Sequence, residues 1–318
     1  MKKQMKQQVY SAFLATVSVA TLFSVSAKAA PYTLIRLAYP TTVAQSTGIL
    51  RDVVESRAMA YFAQFPENTH IISAKDFLAK VENGDNMFIM DLRSFEDYAK
   101  GHIKGAVNVP FGSDIAKALK HIPDNRPVFV YCYTGQTASQ ATALLNVAGK
   151  PVTNVRSGFK DISANENFEA LSSTVPATLP KSIYPVNEKV ANAITAYFAE
   201  MEAQTDYKKF NISPKQVKEI SDSRNKAFEI VSVRKAADYV KGHIKGADLN
   251  IPFGKGMQEQ FGKLPKDKKI IVYCYSGQTS SQTMAILRLL GYDAYSMSGG
   301  IGSAEAKTGW LGEGYKLE

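Results

Sequence analysis

The sequence predicts an α/β fold built twice: two consecutive copies of one domain, each around a mostly parallel sheet. Length and composition allow it. The chain has 318 residues, enough for about two ordinary domains, and 45% of them are apolar against 21% charged, which supplies a core to each. A long stretch also recurs. FIMDLRSFEDYAKGHIKGAVNVPFG from Phe88 is answered by FEIVSVRKAADYVKGHIKGADLNIPFG from Phe228, and VFVYCYTGQTASQATALLNVAG from Val128 by IIVYCYSGQTSSQTMAILRLLG from Ile270. The offset is 141 residues at His102/His243 and 142 at Cys132/Cys274. A period this long marks a duplicated domain rather than a solenoid. Finally, each copy alternates short apolar runs with helix-type patterns across tight polar loops, the unit of a parallel α/β sheet.

Residues 1–29 read as a secretory signal: Lys2, Lys3 and Lys6, an apolar run from Val9 to Val25, then Ala27-Lys28-Ala29 as the cleavage pattern. Ser11, Thr16, Ser18, Thr21 and Ser24 interrupt the run, which weakens the alternative of an uncleaved anchor helix. The expected mature protein is exported, to a periplasm or the extracellular space, and meets a membrane only through this segment. Its removal takes the formal charge from +9 to +5, because four lysines leave with it. The remaining basic residues are dispersed, with no stripe interleaved with aromatics, so no nucleic-acid partner is expected.

The first domain is expected over 45–171 and the second over 186–318. AMAYFAQF around Tyr61 and AITAYFAEM around Tyr197 are weakly alike. Tyr61, Phe62, Tyr197 and Phe198 are expected on a helix packed against its own domain. Ser73 with Asp76, and Ser213-Pro214, are helix starts: a capping side chain, and in the second copy a proline at the first helical position. FIMDL, VFVYC, FEIVSV and IIVYC are buried-strand runs. ASQATALLNVAG and SSQTMAILRLLG are helices stopped by glycine. The proline- and serine-rich segment 172–185 reads as a linker.

Cys132 and Cys274 are the only cysteines, too few for a structural zinc site built on cysteine pairs or for a disulfide framework. Each is expected at the C-terminal end of a strand just before a helix, where open α/β sheets place ligands. Small or polar residues follow: Tyr133, Thr134, Gly135, Gln136 and Thr137, and Tyr275, Ser276, Gly277, Gln278 and Thr279. Such a loop can curl its backbone N–H groups around the sulfur, with the helix dipole behind them and glycine supplying the positive φ. Both effects favour a nucleophilic sulfur. The plainer alternatives are inert buried cysteines, or a single Cys132–Cys274 disulfide in an oxidising compartment. His102 and His243, in GHIKGA turns, are either bases or turn histidines bonded to backbone. Arg93 and Arg234 are read as buried ion-pair members. The tyrosines after the cysteines either wall the pocket or pack.

Asp91-Leu92-Arg93, the run Tyr98 to Pro110 and the strand-CxxGxx-helix around Cys132 resemble the rhodanese (sulfurtransferase) domain, and Arg234, Tyr239 to Pro252 and Cys274 match it again. Ser298-Gly299-Gly300 and Trp310 resemble late features of the same family. The resemblance implies two tandem domains, each a parallel five-stranded sheet flanked by helices. It implies Cys132 and Cys274 as catalytic residues that carry sulfane sulfur as a persulfide. The loop residues would bind substrate, with Asp91, Arg93, His102, Arg234 and His243 in support. No metal or organic cofactor is implied. The partners implied are a small sulfur donor (polysulfide, persulfide or thiosulfate) and a thiophilic acceptor.

Three departures stand out. Thr137 and Thr279 occupy the place where thiosulfate-active members often carry arginine, and neither loop bears a charge. A dianionic donor would forgo a charge-assisted contact of about 1.5–3 kcal/mol, which points to polysulfide or another persulfide and away from the cysteine phosphatases and arsenate reductases. Ser232 replaces the acid at Asp91, and Val155-Arg156-Ser157-Gly158-Phe159 lacks the glycine pair. The reading is a sulfurtransferase. Its rivals are a non-catalytic sulfur carrier serving a respiratory protein, and a redox sensor.

Overall fold

Local signals start the helices where the sequence places them. Ser73 accepts a hydrogen bond from the Asp76 N–H, and Ser213 forms a reciprocal capping box with Gln216 ahead of Pro214. The computed structural model describes residues 52–318; the expected signal segment and the first residues of the expected first domain lie outside them. The first repeat runs α1 (Val53–Ala63), β1 (Ile71–Ile72), α2 (Ala74–Glu82), β2 (Phe88–Asp91), α3 (Phe95–Lys100), β3 (His102–Ile103), β4 (Val107–Asn108), α4 (Ser113–Ala118), β5 (Val128–Tyr131), α5 (Gln136–Val147), β6 (Val152–Val155), α6 (Phe159–Ser163), α7 (Phe168–Leu171) and β7 (Ser172–Ser173). The second runs α8 (Glu188–Ala203), β8 (Asn211–Ile212), α9 (Pro214–Ser223), β9 (Phe228–Ser232), α10 (Ala236–Lys241), β10 (Leu249–Asn250), β11 (Lys269–Tyr273), α11 (Gln278–Leu289), β12 (Ala294–Met297) and α12 (Gly309–Gly312).

Each repeat holds a five-stranded parallel sheet flanked by helices. The orders are β1-β6-β5-β2-β4 and β8-β12-β11-β9-β10, the same topology twice. Their central strands, β5 and β11, are buried on both faces and end at the two cysteines.

The repeats meet through α5 and α11, which are buried along almost their whole length. Their alanines, serines and threonines are small enough to let the two backbones approach. One apolar core runs through this contact, from Val130 and Leu144 to Val272 and Ile286. Alternate residues of β2 and β5, including Ile89, Phe129 and Tyr131, build a smaller core on the opposite face of the first sheet.

One expectation is incomplete. Helices α1 and α8 pack on both repeats: α1 lies against α5 of its own as well as α11, and α8 lies against α11 and Phe210 of its own as well as α4. Phe62 meets Phe253 and Phe261 edge-on at 5.6 and 5.9 Å, and Phe198 meets Phe111 at 5.7 Å. The Tyr61 hydroxyl donates to Gln282 of α11 at 2.6 Å, and Tyr197 to Gln140 of α5 at 3.0 Å. An amphipathic helix shows that it has an apolar face, but not which neighbour covers it. The linker 172–185 is fastened to the first repeat. Ser172–Ser173 pairs antiparallel with His102–Ile103, the Ala177 N–H donates to the Tyr98 hydroxyl at 3.0 Å, and the Tyr184 N–H donates to the Lys120 carbonyl at 2.8 Å. Backbone pairing holds it down without any side-chain periodicity.

Candidate active site

Strand β5 delivers Cys132 to the sheet's C-terminal edge, and the chain then turns into α5 through Gly135, at φ 83°. Strand β11 delivers Cys274 in the same way, with Gly277 at φ 84°. That left-handed backbone aims amides back at the sulfur. Cys132 Sγ accepts from Gly135 N–H at 3.2 Å and Ala138 N–H at 3.4 Å; Cys274 Sγ accepts from Gly277 N–H at 3.1 Å. These dipoles, at a helix N-terminus, stabilise negative charge on sulfur. Both thiols are buried and neither is in a disulfide.

A second turn braces each loop from below. The Phe159 and Ile301 N–H groups donate to the Cys132 and Cys274 carbonyls at 2.7 and 2.8 Å. A Cβ on Gly158 would lie 2.2 Å from the Cys132 carbonyl oxygen, and one on Gly300 2.5 Å from that of Cys274, so both positions require glycine. Ser157 stands at φ 56° where the second repeat has Gly299 at φ 70°. The glycine pair missing from the first copy is thus kept as a backbone shape, at a strain of about 1 kcal/mol in a serine.

Tyr133 and Tyr275 line the mouth. Each is nearly half exposed. Their hydroxyls donate to Asp97 and Asp238, both at 2.6 Å, and accept the Ser94 and Lys235 N–H groups at 3.2 and 3.1 Å. Lys100 and the Tyr133 hydroxyl hold the Asp97 carboxyl at a pKa of about 2, while the Tyr275 hydroxyl, followed by Lys241, lowers that of Asp238. A carboxylate therefore stands against the tyrosine of each loop. Neither aspartate was singled out from the sequence, yet the shared DY before KGHIKGA marks both.

Thr134 and Ser276 are exposed, and Thr137 and Thr279 half-buried. Gln136 and Gln278, expected to line the substrate loop, instead turn into the interface between repeats. Gln136 Nε2 donates to Asn211 at 3.1 Å, and its Oε1 accepts the Gly299 N–H at 3.2 Å. Gln278 Oε1 accepts from Asn154 at 3.0 Å, and Asn154 also donates to the Gly135 carbonyl at 3.1 Å. Each loop is thus fastened to the support of the other. Ala138, Asn154 and these two cross-connections escaped the sequence reading; glutamine repeating at 136/140 and 278/282 is their only trace.

The supporting residues divide. Asp91 accepts from Arg93 Nε at 3.1 Å and Nη2 at 2.6 Å, and the guanidinium stacks 3.4 Å from the Phe159 ring. In the second repeat, Arg234 donates from Nη2 to the Gly242 carbonyl and from its backbone N–H to Ser232 Oγ at 3.3 Å. His102 stacks on Tyr98 with both ring nitrogens against carbonyls, of Tyr98 at 2.9 Å and Val175 at 3.1 Å. His243 stacks on Tyr239, with Nδ1 3.3 Å from that residue's carbonyl oxygen.

The model of the rhodanese-like domain matches the chain twice, at residues 73–165 and 213–307. The thiosulfate sulfurtransferase PspE of Escherichia coli is 33% identical over 75 residues, 23% of this chain and 72% of that protein. YrkF of Bacillus subtilis, a candidate sulfur carrier protein, is 32% identical over 91 residues, 28% of this chain, and the match spans about half of its length, 49%. The solved 3-mercaptopyruvate sulfurtransferase SseA of Escherichia coli aligns over 72% of this chain and 98% of its own, at 20% identity and a TM-score of 0.35.

Proposed function

This chain belongs to the rhodanese-like domain family, and from that premise we propose that it is a sulfurtransferase moving sulfane sulfur through persulfides on Cys132 and Cys274, with a polysulfide or another persulfide as donor. The observation that carries this reading is the pair of buried sulfurs held by loop amides, in loops that have no charged side chain and open beside Asp97 and Asp238. A nearby carboxylate repels a dianion such as thiosulfate more than a singly charged persulfide.

In the cycle, the cysteine sulfur attacks the donor's outer sulfur. A new S–S bond forms, the donor's S–S bond breaks, and the departing thiolate takes the electron pair. The loop amides then stabilise the charged terminal sulfur. A thiophilic acceptor attacks that sulfur, leaves with it, and returns the cysteine anion. Gly135, Ala138 and Gly277 supply the N–H groups, and Tyr133 and Tyr275 are fixed by their hydrogen bonds to the aspartates. The signal-like start supports an exported setting, where a respiratory protein could serve as acceptor.

The test is intact-mass analysis after exposure to polysulfide and to thiosulfate, for wild type, Cys132→Ala and Cys274→Ala. Each cysteine is expected to gain one sulfur from polysulfide, and thiosulfate to load it roughly ten- to hundredfold less well. No added sulfur on either cysteine would sink the reading, and efficient thiosulfate loading would overturn the choice of donor. A carrier would load equally but turn over slowly with cyanide.

A further inference from the structure

The first repeat surrounds the Asp91 carboxylate with donors. Arg93 contributes Nε, Nη2 and its backbone N–H, and Tyr131 stands opposite in register on β5. The second repeat keeps the donors. Arg234 is 4% exposed, and Tyr273 stands opposite Ser232 in the same register. The acceptor has changed: Ser232 offers a short hydroxyl where Asp91 offers two charged oxygens. Arg234 Nε is buried without a hydrogen-bond partner, and no carboxylate pairs with its guanidinium among the described residues. The Tyr273 and Ser232 oxygens accept N–H groups, from Ile244 at 3.3 Å and Arg234 at 3.3 Å, which leaves their own protons to donate.

Arginine is a permanent cation in proteins. An unpaired buried charge is among the most destabilising features a fold can carry. Arg234 Nε and the hydroxyls of Tyr273 and Ser232 occupy the positions that correspond to Arg93, Tyr131 and Asp91 in the first repeat, where no carboxylate is supplied. A water could accept from them but would leave the charge uncompensated. We propose that the second repeat binds a small monovalent anion, of the size and charge of chloride, between Arg234, Tyr273 and Ser232, in the place that Asp91 fills in the first.

Crystals soaked in sodium bromide, measured at the bromine absorption edge, provide the direct test. One anomalous peak is expected within hydrogen-bonding range of Arg234 Nε, with none at Arg93. Thermal unfolding in sodium chloride against sodium gluconate at fixed ionic strength is the solution counterpart. Above half-saturation, each tenfold rise in chloride should lift the wild-type midpoint by roughly 2–5 °C. Ser232→Asp should unfold at the same temperature in both salts, because its own carboxylate takes the site. If that variant does not fold, Arg234→Gln should likewise lose the chloride response, having no charge to neutralise. A bromine peak without a chloride-dependent midpoint would mean an adventitious ion only and would overturn the proposal. So would the absence of a peak, or a chloride response unchanged in Arg234→Gln.

Discussion

Cys132 and Cys274 end equivalent central strands, enter equivalent helices through glycines at φ 83° and 84°, and face equivalent tyrosine–aspartate pairs. Beneath the loops the repeats diverge. The first has a carboxylate and the Phe159 ring, 3.4 Å away, around Arg93; the second has a serine, keeps the Tyr273 ring 5.6 Å from the guanidinium and leaves Arg234 Nε unpartnered. The first braces its loop with a strained Ser157, the second with Gly299. The first ties across the interface through Asn154, the second through the Gly299 N–H. Loop geometry has survived while its polar support has changed. It is therefore set by backbone shape, chiefly the glycines at 135, 158, 277 and 300, and only secondarily by the buried arginine.

The sharpest way to break this comparison is at the bracing glycines. Gly158→Ala puts a methyl group into the Cys132 carbonyl, and Gly300→Ala does the same at Cys274. Each should reduce persulfide loading at its own cysteine by about 10–100-fold, as displacement of reacting groups by an ångström does. Loading of the other cysteine should change far less, read by mass spectrometry on the same sample. Equal loss at both cysteines would show that the interface, not the local turn, shapes each loop.

Asp91→Ser makes the first repeat resemble the second. Removing one partner of a buried pair leaves the other charge uncompensated and should destabilise the protein by about 3–5 kcal/mol, measured by denaturant unfolding. A loss below about 1 kcal/mol would mean that the Phe159 ring, 3.4 Å from the guanidinium, is by itself enough for Arg93.

Much of this could be read from residues alone, because repetition filters chance. VFVYC and IIVYC, the capping serines and the glycine-containing loops are local signals, and each element formed where it was expected. What failed was non-local. Tyr61 and Phe62 declare an apolar face but not that it covers both repeats. Gln136 and Gln278 look like loop residues until the fold sets the two helices together. The segment 172–185 has the composition of a linker because backbone pairing leaves no pattern in side chains.

His70 offers a contrast of intermediate size. It is stacked on Tyr61 and edge-on to Phe65, and burial pushes its pKa down from 6.5 to about 4. Phe210 precedes the matching strand of the second repeat at φ 53°, the same φ as His70. The unfolded chain binds a proton near pH 6.5 and the folded chain only near 4. The stability tied to a neutral His70 is thus complete above pH 6.5 and is lost as pH falls towards 4. The loss should be about 1–3 kcal/mol. His70→Phe, which copies the second repeat, should flatten stability between pH 6.5 and 4; an unchanged slope would assign the acid sensitivity elsewhere.

The smallest effect separates the two mouths. Asp97 owes its low pKa first to Lys100 and then to the Tyr133 hydroxyl, whereas Asp238 owes its own first to Tyr275. Tyr133→Phe should therefore raise the Asp97 pKa from about 2 only part of the way to the ordinary value of 3.8, because Lys100 remains. Tyr275→Phe should return Asp238 more nearly the whole way. Carboxyl carbon NMR titration reads both. The sign follows from linkage: a depressed carboxylate pKa stabilises the fold above about pH 4 and ceases to do so as pH falls through the folded value. Neither substitution should alter stability measurably at neutral pH, since both carboxylates are partly open to solvent, which screens their contacts. Equal shifts at the two aspartates would mean that the lysines do not distinguish the mouths, and that the repeats differ only below their loops.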